Sequence, residues 1–406
     1  MRLSLSRESL LKPLERISGI SVSSGGQKPI LANVLLYVYP NPDPNGEIKD
    51  APYILQMTCT DGELEMSTKL GVFAPDTQIG ATTVSVKKLV DILKALPTSV
   101  NVDFDLVGNN LAISTFKTKA RLTTLPAEQF PNIDCMGNLY DVVLEGKELS
   151  TLIKVTEFSI TVDNYRNFLR GMKFEFSGND LFIYGADGHR LNIYHGKTME
   201  PVVIPPEVDG NGFIFPKKGV SEVRKLLSYS EKDNNGNEQD VVLSVGPNSI
   251  KTTISGVTLI SKLIDAKYPN VNNIVPLNCS RVITLDREYF KEVLRRAAIL
   301  CNNKNNAVCF DVTNEHLTIK STNSQHEQSE ENVEAICECN GENFEIAFNV
   351  QYIIDVCNVL TTPQIKLSLS KVSNNVKIEA VFDQKEKNAD FERELNALFI
   401  ISRFQI

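Results

Sequence analysis

Apolar residues recur along this chain in two rhythms. A three-and-four spacing appears at Leu10, Leu11, Leu14 and Ile17, again at Leu149, Leu152, Ile153 and Val155, and again at Phe290, Val293, Leu294 and Ala297. Each set predicts an amphipathic helix with one buried stripe. A second group steps by threes: Val90, Leu93 and Leu96, then Val220, Val223 and Leu226, then Ile353, Val356 and Val359. These predict a further helix downstream of each of the first three. Between the helices, the alternating runs 54–59, 181–184 and 365–369 read as strands. The predicted order is helix, strands, helix, strands, three times over.

The repetition has a fixed period. Arg7-Glu8, Lys147-Glu148 and Arg287-Glu288 each follow a short apolar run and open the first helix of a set, and each pair stands 140 residues from the last. Self-similarity at constant spacing is the mark of repeated structural units. A further echo closes the first two units, where Leu125-Pro126-Ala127-Glu128-Gln129-Phe130-Pro131-Asn132 matches Leu263-Ile264-Asp265-Ala266-Lys267-Tyr268-Pro269-Asn270. These Pro-Asn segments read as exits into linkers. Three equivalent domains follow, 1–136, 137–277 and 278–406. The polar stretches 40–50 and 231–239 and the charged segment 383–396 read as surface loops.

Composition narrows the class. A chain of 406 residues exceeds what one core supports, and 42% hydrophobic with 23% charged residues is ordinary for packed domains. No run approaches the roughly 20 apolar residues that span a bilayer, and Met1-Arg2-Leu3-Ser4 leads into an amphipathic segment, not a secretory core. The expected location is the cytoplasm, with no membrane partner. Eight cysteines in so long a chain make no disulfide scaffold, and Cys59 and Cys309 sit among strand-forming residues, so they read as reduced thiols. Cys337 and Cys339 lack a second pair or a histidine at zinc spacing. No metal and no cofactor are expected.

A catalytic reading rests on Asp187, Gly188 and His189, a carboxylate beside a general base. Against it stand only four histidines, no Gly-x-Ser-x-Gly elbow and no phosphate-cradling glycine loop. The chain reads as a non-enzyme.

The net charge of −8 argues against a nucleic-acid partner until the distribution is considered. Cations accompany the repeated helices: Lys12, then Lys87, Lys88 and Lys94, then Lys147 and Lys154, then Lys217, Lys218, Arg224 and Lys225, then Lys291, Arg295 and Arg296. Taken singly, such residues are most often a solvated face. Equivalent helices in equivalent domains carry them to equivalent places, and a closed array would line one surface with positive charge. That surface would hold duplex DNA through phosphates without reading bases.

The most specific motif is Gly185-Ala186-Asp187-Gly188-His189-Arg190-Leu191. With it stand Phe168-Leu169-Arg170-Gly171-Met172, Phe215-Pro216-Lys217-Lys218-Gly219, Ser261-Lys262-Leu263-Ile264-Asp265, Arg296-Ala297-Ala298-Ile299-Leu300, Pro29-Ile30-Leu31-Ala32-Asn33 and Thr60-Asp61-Gly62-Glu63. On these residues the whole chain resembles the bacterial DNA polymerase III beta subunit family, the sliding clamps. The resemblance implies an α+β fold of three tandem clamp domains, helices inside and antiparallel sheets outside, closing as a head-to-tail dimeric ring around double-stranded DNA. It further implies a homodimer whose partners are the replicative polymerase catalytic subunit, the clamp loader and other proteins carrying short clamp-binding peptides. A divergent paralogue with a specialised partner set is the alternative.

By motif position, the implied peptide pocket comprises Leu169, Gly188, His189, Arg190, Leu191, Pro269, Ile274, Ile400, Ser402, Arg403, Phe404 and Ile406. The implied dimer contact sets Leu122 against Ile299 and Leu300, with Lys117, Lys119 and Arg121 facing Glu327, Glu330 and Glu331. Lys12, Lys28, Lys69, Lys87, Lys88, Arg166, Lys217, Lys218 and Lys304 are the implied DNA contacts. The chain departs from the family pattern at Gly25, Asp163 and Asn306 in the DNA-facing loops, and at Asn273 and the ending Ser402-Arg403-Phe404-Gln405-Ile406 in the pocket.

Overall fold

Side chains just ahead of the repeated Arg-Glu pairs start the helices. The hydroxyl of Ser6 accepts from the Ser9 amide at 3.1 Å, opening α1 (Arg7–Ser18), and the Asp286 carboxylate accepts from the Tyr289 amide at 2.8 Å, opening α5 (Arg287–Ile299). Each satisfies an amide that the first helical turn leaves without a partner. Ser85 and Asn349 do the same for α2 (Val86–Ala95) and α6 (Val350–Val359). In the middle of the chain, α3 (Gly146–Thr156) follows Glu145, whose side chain makes no cap, and α4 (Lys217–Ser228) follows Pro216.

This is a computed structural model, and it describes all residues except 22–27, 47, 134–136, 138, 207, 209, 211, 230–238, 302–305, 314–315, 339–342, 371–372, 384, 386–387 and 405–406. The predicted loop 231–239 falls almost wholly outside the described residues, as do Gly25, Lys304 and Ile406.

The chain divides into two compact units, residues 1–142 with 225–263 and residues 143–224 with 264–406. In the first unit α1 packs on α2, and their apolar stripes, including Leu10, Leu14, Ile17, Leu89 and Leu93, are buried. The Arg7 guanidinium closes the pair by donating from Nε to the Leu93 carbonyl at 2.7 Å, in the last turn of α2. The second unit repeats the device with α5 and α6: Arg287 donates to the carbonyls of Thr362 at 2.8 Å and Cys357 at 2.9 Å.

Among the described residues the strands form sheets of twelve, nine and four, and every named pairing is antiparallel. The twelve-stranded sheet crosses from the first repeat to the second where Leu64–Val72 pairs with Val257–Lys262. The nine-stranded sheet crosses from the second to the third where Arg190–Lys197 pairs with Ala397–Ser402. The middle repeat is thus shared between two sheets. Alternation sets the faces: Val34, Leu36, Val38, Leu55 and Met57 are buried beneath the helices, while their neighbours Tyr37 and Gln56 point the other way.

The segment 383–396 departs from its loop reading. Residues Ala389–Glu394 form a short helix, α7, capped by the Asn388 side chain. No apolar stripe announces it: one aromatic contact, Phe391 on Phe382 at 5.4 Å, and several polar ones hold it. Arg393 reaches Glu145 at 3.1 Å and Glu148 at 3.5 Å, and the buried Glu394 carboxylate accepts from the amides of Thr361 at 2.7 Å and Thr362 at 3.0 Å.

Candidate functional site

The residues expected to wall a peptide pocket come together in the second unit. Leu169, Leu191 and Ile400 belong to one buried cluster with Tyr184, Ala186 and Val271, against which Phe168, Tyr268 and Val275 pack. Five separate stretches of chain supply it: the turn Asn167–Arg170, the strands Asp180–Ala186, Arg190–Lys197 and Ala397–Ser402, and the segment holding Val271. Pro269 and Ile274 stand exposed on the adjoining segment. Burial drives the Tyr268 phenol well above its ordinary value and pushes Tyr184 up to about 12, so both rings act as neutral apolar surface.

A polar rim joins these pieces. The carbonyl of His189 accepts from the Ser402 amide at 2.9 Å, the Ser402 hydroxyl bonds Asn375 at 3.0 Å, and the Asn375 side-chain amide donates to the Ile274 carbonyl at 2.9 Å. Beyond Ser402 the Arg403 amide donates to the Asn374 carbonyl, and the Phe404 amide to the Ala347 carbonyl at 2.7 Å, leaving both side chains exposed. Gly188 has φ +99, and a Cβ there would collide with the Arg166 guanidinium, so the turn needs glycine. Arg166 therefore lies over the Gly188 turn.

Arg190 is placed differently from an open wall residue. Its guanidinium donates to Asp187 at 3.0 Å, to Asp355 at 2.6 Å and to the Phe158 carbonyl at 2.9 Å. It also lies 4.5 Å from the ring centre of Tyr352 and 5.2 Å from that of Phe158. With each of its three guanidinium nitrogens donating to a protein acceptor, Arg190 ties the turn to α6. Its neighbour His189 is exposed and lies parallel to Tyr352, 6.3 Å away. Tyr352, Asp355, Val271 and Asn375 were not singled out by the sequence. Val271 directly follows the Pro-Asn motif and could have been; the other three carry no local signal.

The expected DNA contacts divide by exposure and face. Lys12 on α1, Lys87 and Lys88 at the start of α2, Lys218 on α4, and Lys28 are exposed. Lys217 is turned inward: its ammonium donates to the Ile160 carbonyl, and desolvation lowers its pKa against the pull of Glu157. Lys69 pairs with Gln56, which pairs with Tyr37, on the sheet face opposite the helices. Period-two alternation fixed that side; the sequence could not say which side the helices cover.

The expected dimer residues sit on strand edges and a helix end. Leu122, Lys119 and Arg121 lie in the strand Lys119–Leu125, whose far edge pairs only at Thr124 and Leu125 among the described residues. Glu330 and Glu331 lie in Gln328–Val333, the outer strand of the four-stranded sheet. Glu331 is held by Arg296 at 2.8 Å. Ile299, 78% exposed, and the half-buried Leu300 end α5.

Models of the DNA polymerase III beta subunit match this chain in three consecutive segments, the N-terminal domain over residues 1–134, the central domain over 143–270 and the C-terminal domain over 272–391. The beta sliding clamp of Proteus mirabilis is 34% identical over 383 residues, 94% of this chain and 96% of that protein. That of Escherichia coli K12 is 31% identical over 386 residues, 95% of this chain and 97% of that protein. The crystal structure of the DNA polymerase III subunit beta from Pseudomonas aeruginosa superposes with a TM-score of 0.85 at 29% identity, covering the whole of both chains. Three helix-and-sheet repeats, sheets that run from one repeat into the next and matches along nearly the full length agree on one assignment: this chain belongs to the DNA polymerase III beta subunit family.

Proposed function

We propose that the protein is a DNA sliding clamp, a non-catalytic processivity subunit that encircles duplex DNA without sequence preference and tethers a replicative polymerase. The three-domain family match along nearly the whole chain carries this reading. The domains are 1–136, 137–277 and 278–406. Lys12, Lys28, Lys87, Lys88 and Lys218, exposed on or beside the helices, supply the phosphate contacts. Among the described residues no helix is long and apolar enough to cross a membrane.

Two copies close head to tail. The open edge at Lys119–Leu125, carrying Lys119 and Arg121, suits the edge Gln328–Val333 of a second copy, carrying Glu330 and Glu331, and Leu122 suits Ile299 and Leu300. Polymerase and clamp-loader peptides bind at the cluster of Leu169, Leu191 and Ile400 with its rim of His189, Ile274 and Ser402. Encirclement is tested by loading the protein on nicked circular DNA and then cutting the circle. Rapid loss after linearisation is expected; equal retention on circle and line would end the ring reading.

A further inference from the structure

Single exposed apolar side chains are common on protein surfaces, so a ring in water points to a partner only where its surroundings name one. Phe116 is 99% exposed at the tip of the hairpin between Asn110–Ser114 and Lys119–Leu125. The turn is well fixed. The Thr115 amide donates to the Thr118 carbonyl at 2.8 Å, and the Thr115 hydroxyl accepts from the amides of Thr118 at 3.1 Å and Lys117 at 3.4 Å. Phe116 has no positive φ and fills no space in its own chain, so nothing in the hairpin calls for an aromatic ring.

We propose that Phe116 is an anchor of the contact between two copies of this chain, received on the ring of Tyr289 of a second copy. The inference rests on the ring reading and adds a residue to it. Charge identifies the occupant. The hairpin carries exposed Lys117, Lys119 and Arg121, whereas the edge strand Gln328–Val333 carries Glu330 and Glu331 and is followed by exposed Glu334. Antiparallel addition sets Lys119 and Arg121 opposite the acidic strand, and the hairpin tip then reaches the Val333 end. At that end stands Tyr289, 37% exposed, with its hydroxyl bonded to the Asn332 carbonyl at 3.4 Å. Two aromatic rings meeting beside a row of paired opposite charges form a common kind of interface anchor.

The test is the dimer dissociation constant, read by fluorescence-detected sedimentation over a dilution series. A two-copy ring has two such contacts, each worth roughly tenfold, so Phe116→Ala raises the constant about a hundredfold. The monomer should melt as the wild type does, because the removed side chain touches nothing within its own chain. Tyr289→Ala should weaken the dimer as well, and the double variant should lose clearly less than the sum of the two. A Phe116→Ala dimer within twofold of wild type, or additive losses, would overturn the assignment while leaving the ring intact. A wild-type protein that is monomeric at micromolar concentration would remove the ring reading itself.

Discussion

The outer repeats and the middle repeat begin their first helices with the same Arg/Lys-Glu pair and then hold them by different means. In the first and third, the arginine reaches across to the end of the partner helix, Arg7 to Leu93 and Arg287 to Thr362 and Cys357. In the middle repeat a lysine occupies the position, and Lys147 pairs instead with Asp390 of α7 at 3.1 Å. A lysine ammonium is a compact point charge with rotatable donors and lacks the rigid planar fork by which a guanidinium spans two carbonyls. The caps follow suit, with Ser6 and Asp286 bonding the first turn while Glu145 turns to Arg393. In the outer repeats the arginine closes the helix pair of its own repeat; the middle one takes this fastening from the segment 389–394.

The largest test of that contrast removes the fork. Arg287→Ala should lower the opening free energy of α6, read by hydrogen exchange, by about 2–3 kcal/mol, because two carbonyls lose a charged donor at a site where the side chain is only 14% exposed. Lys147→Ala, removing a pair between half-exposed groups, should change α3 by less than about 1 kcal/mol. Equal effects would erase the distinction.

A smaller effect is expected at the caps. Asp286→Ala should cost α5 about 1 kcal/mol. Glu145→Ser, which supplies the missing cap while giving up the pair with Arg393, should leave α3 within about 0.5 kcal/mol of its starting stability. A loss as large as that of Asp286→Ala would mean that the Arg393 pair outweighs any cap.

The subtlest comparison is of proton affinity at equivalent glutamates. Burial raises the Glu148 carboxyl above 4.5, opposed by the Tyr194 hydroxyl and Arg393, whereas Lys291 and Arg287 lower that of Glu288. The signs differ accordingly. Glu148 favours the folded state below its unfolded value, and that share fades as pH rises through the raised folded value. Glu288 favours it above its unfolded value, and the share is lost as pH falls through the lowered one. Carboxyl carbon NMR should place Glu148 above and Glu288 below the ordinary range. The reverse order would show that burial does not govern the middle repeat.

Much of this was legible beforehand where local chemistry repeats. The six helices announced themselves by apolar spacing, and the 140-residue period marked three repeats. Leu169, Leu191 and Ile400, far apart in sequence, do share one cluster. What stayed hidden depends on partners distant in the chain. Arg190 looked like a wall residue, but Asp355 and Tyr352, more than 160 residues away, take its guanidinium. Lys69 alternates correctly, yet alternation is silent about which side meets helices. The helix α7 has no stripe to read, since its fastening is mostly polar and its one apolar contact is the single ring of Phe391.

The pairing of Leu64–Val72 with Val257–Lys262 also has a consequence for synthesis. As the ribosome extends the chain, one edge of the early sheet must wait for a strand encoded far downstream. At roughly 5–20 residues per second that interval is on the order of ten seconds or more. For that time the nascent protein carries a bare strand edge able to pair with another nascent chain. Slow codons between residues 72 and 257 would lengthen the exposure, and crowded polysomes would make it matter most.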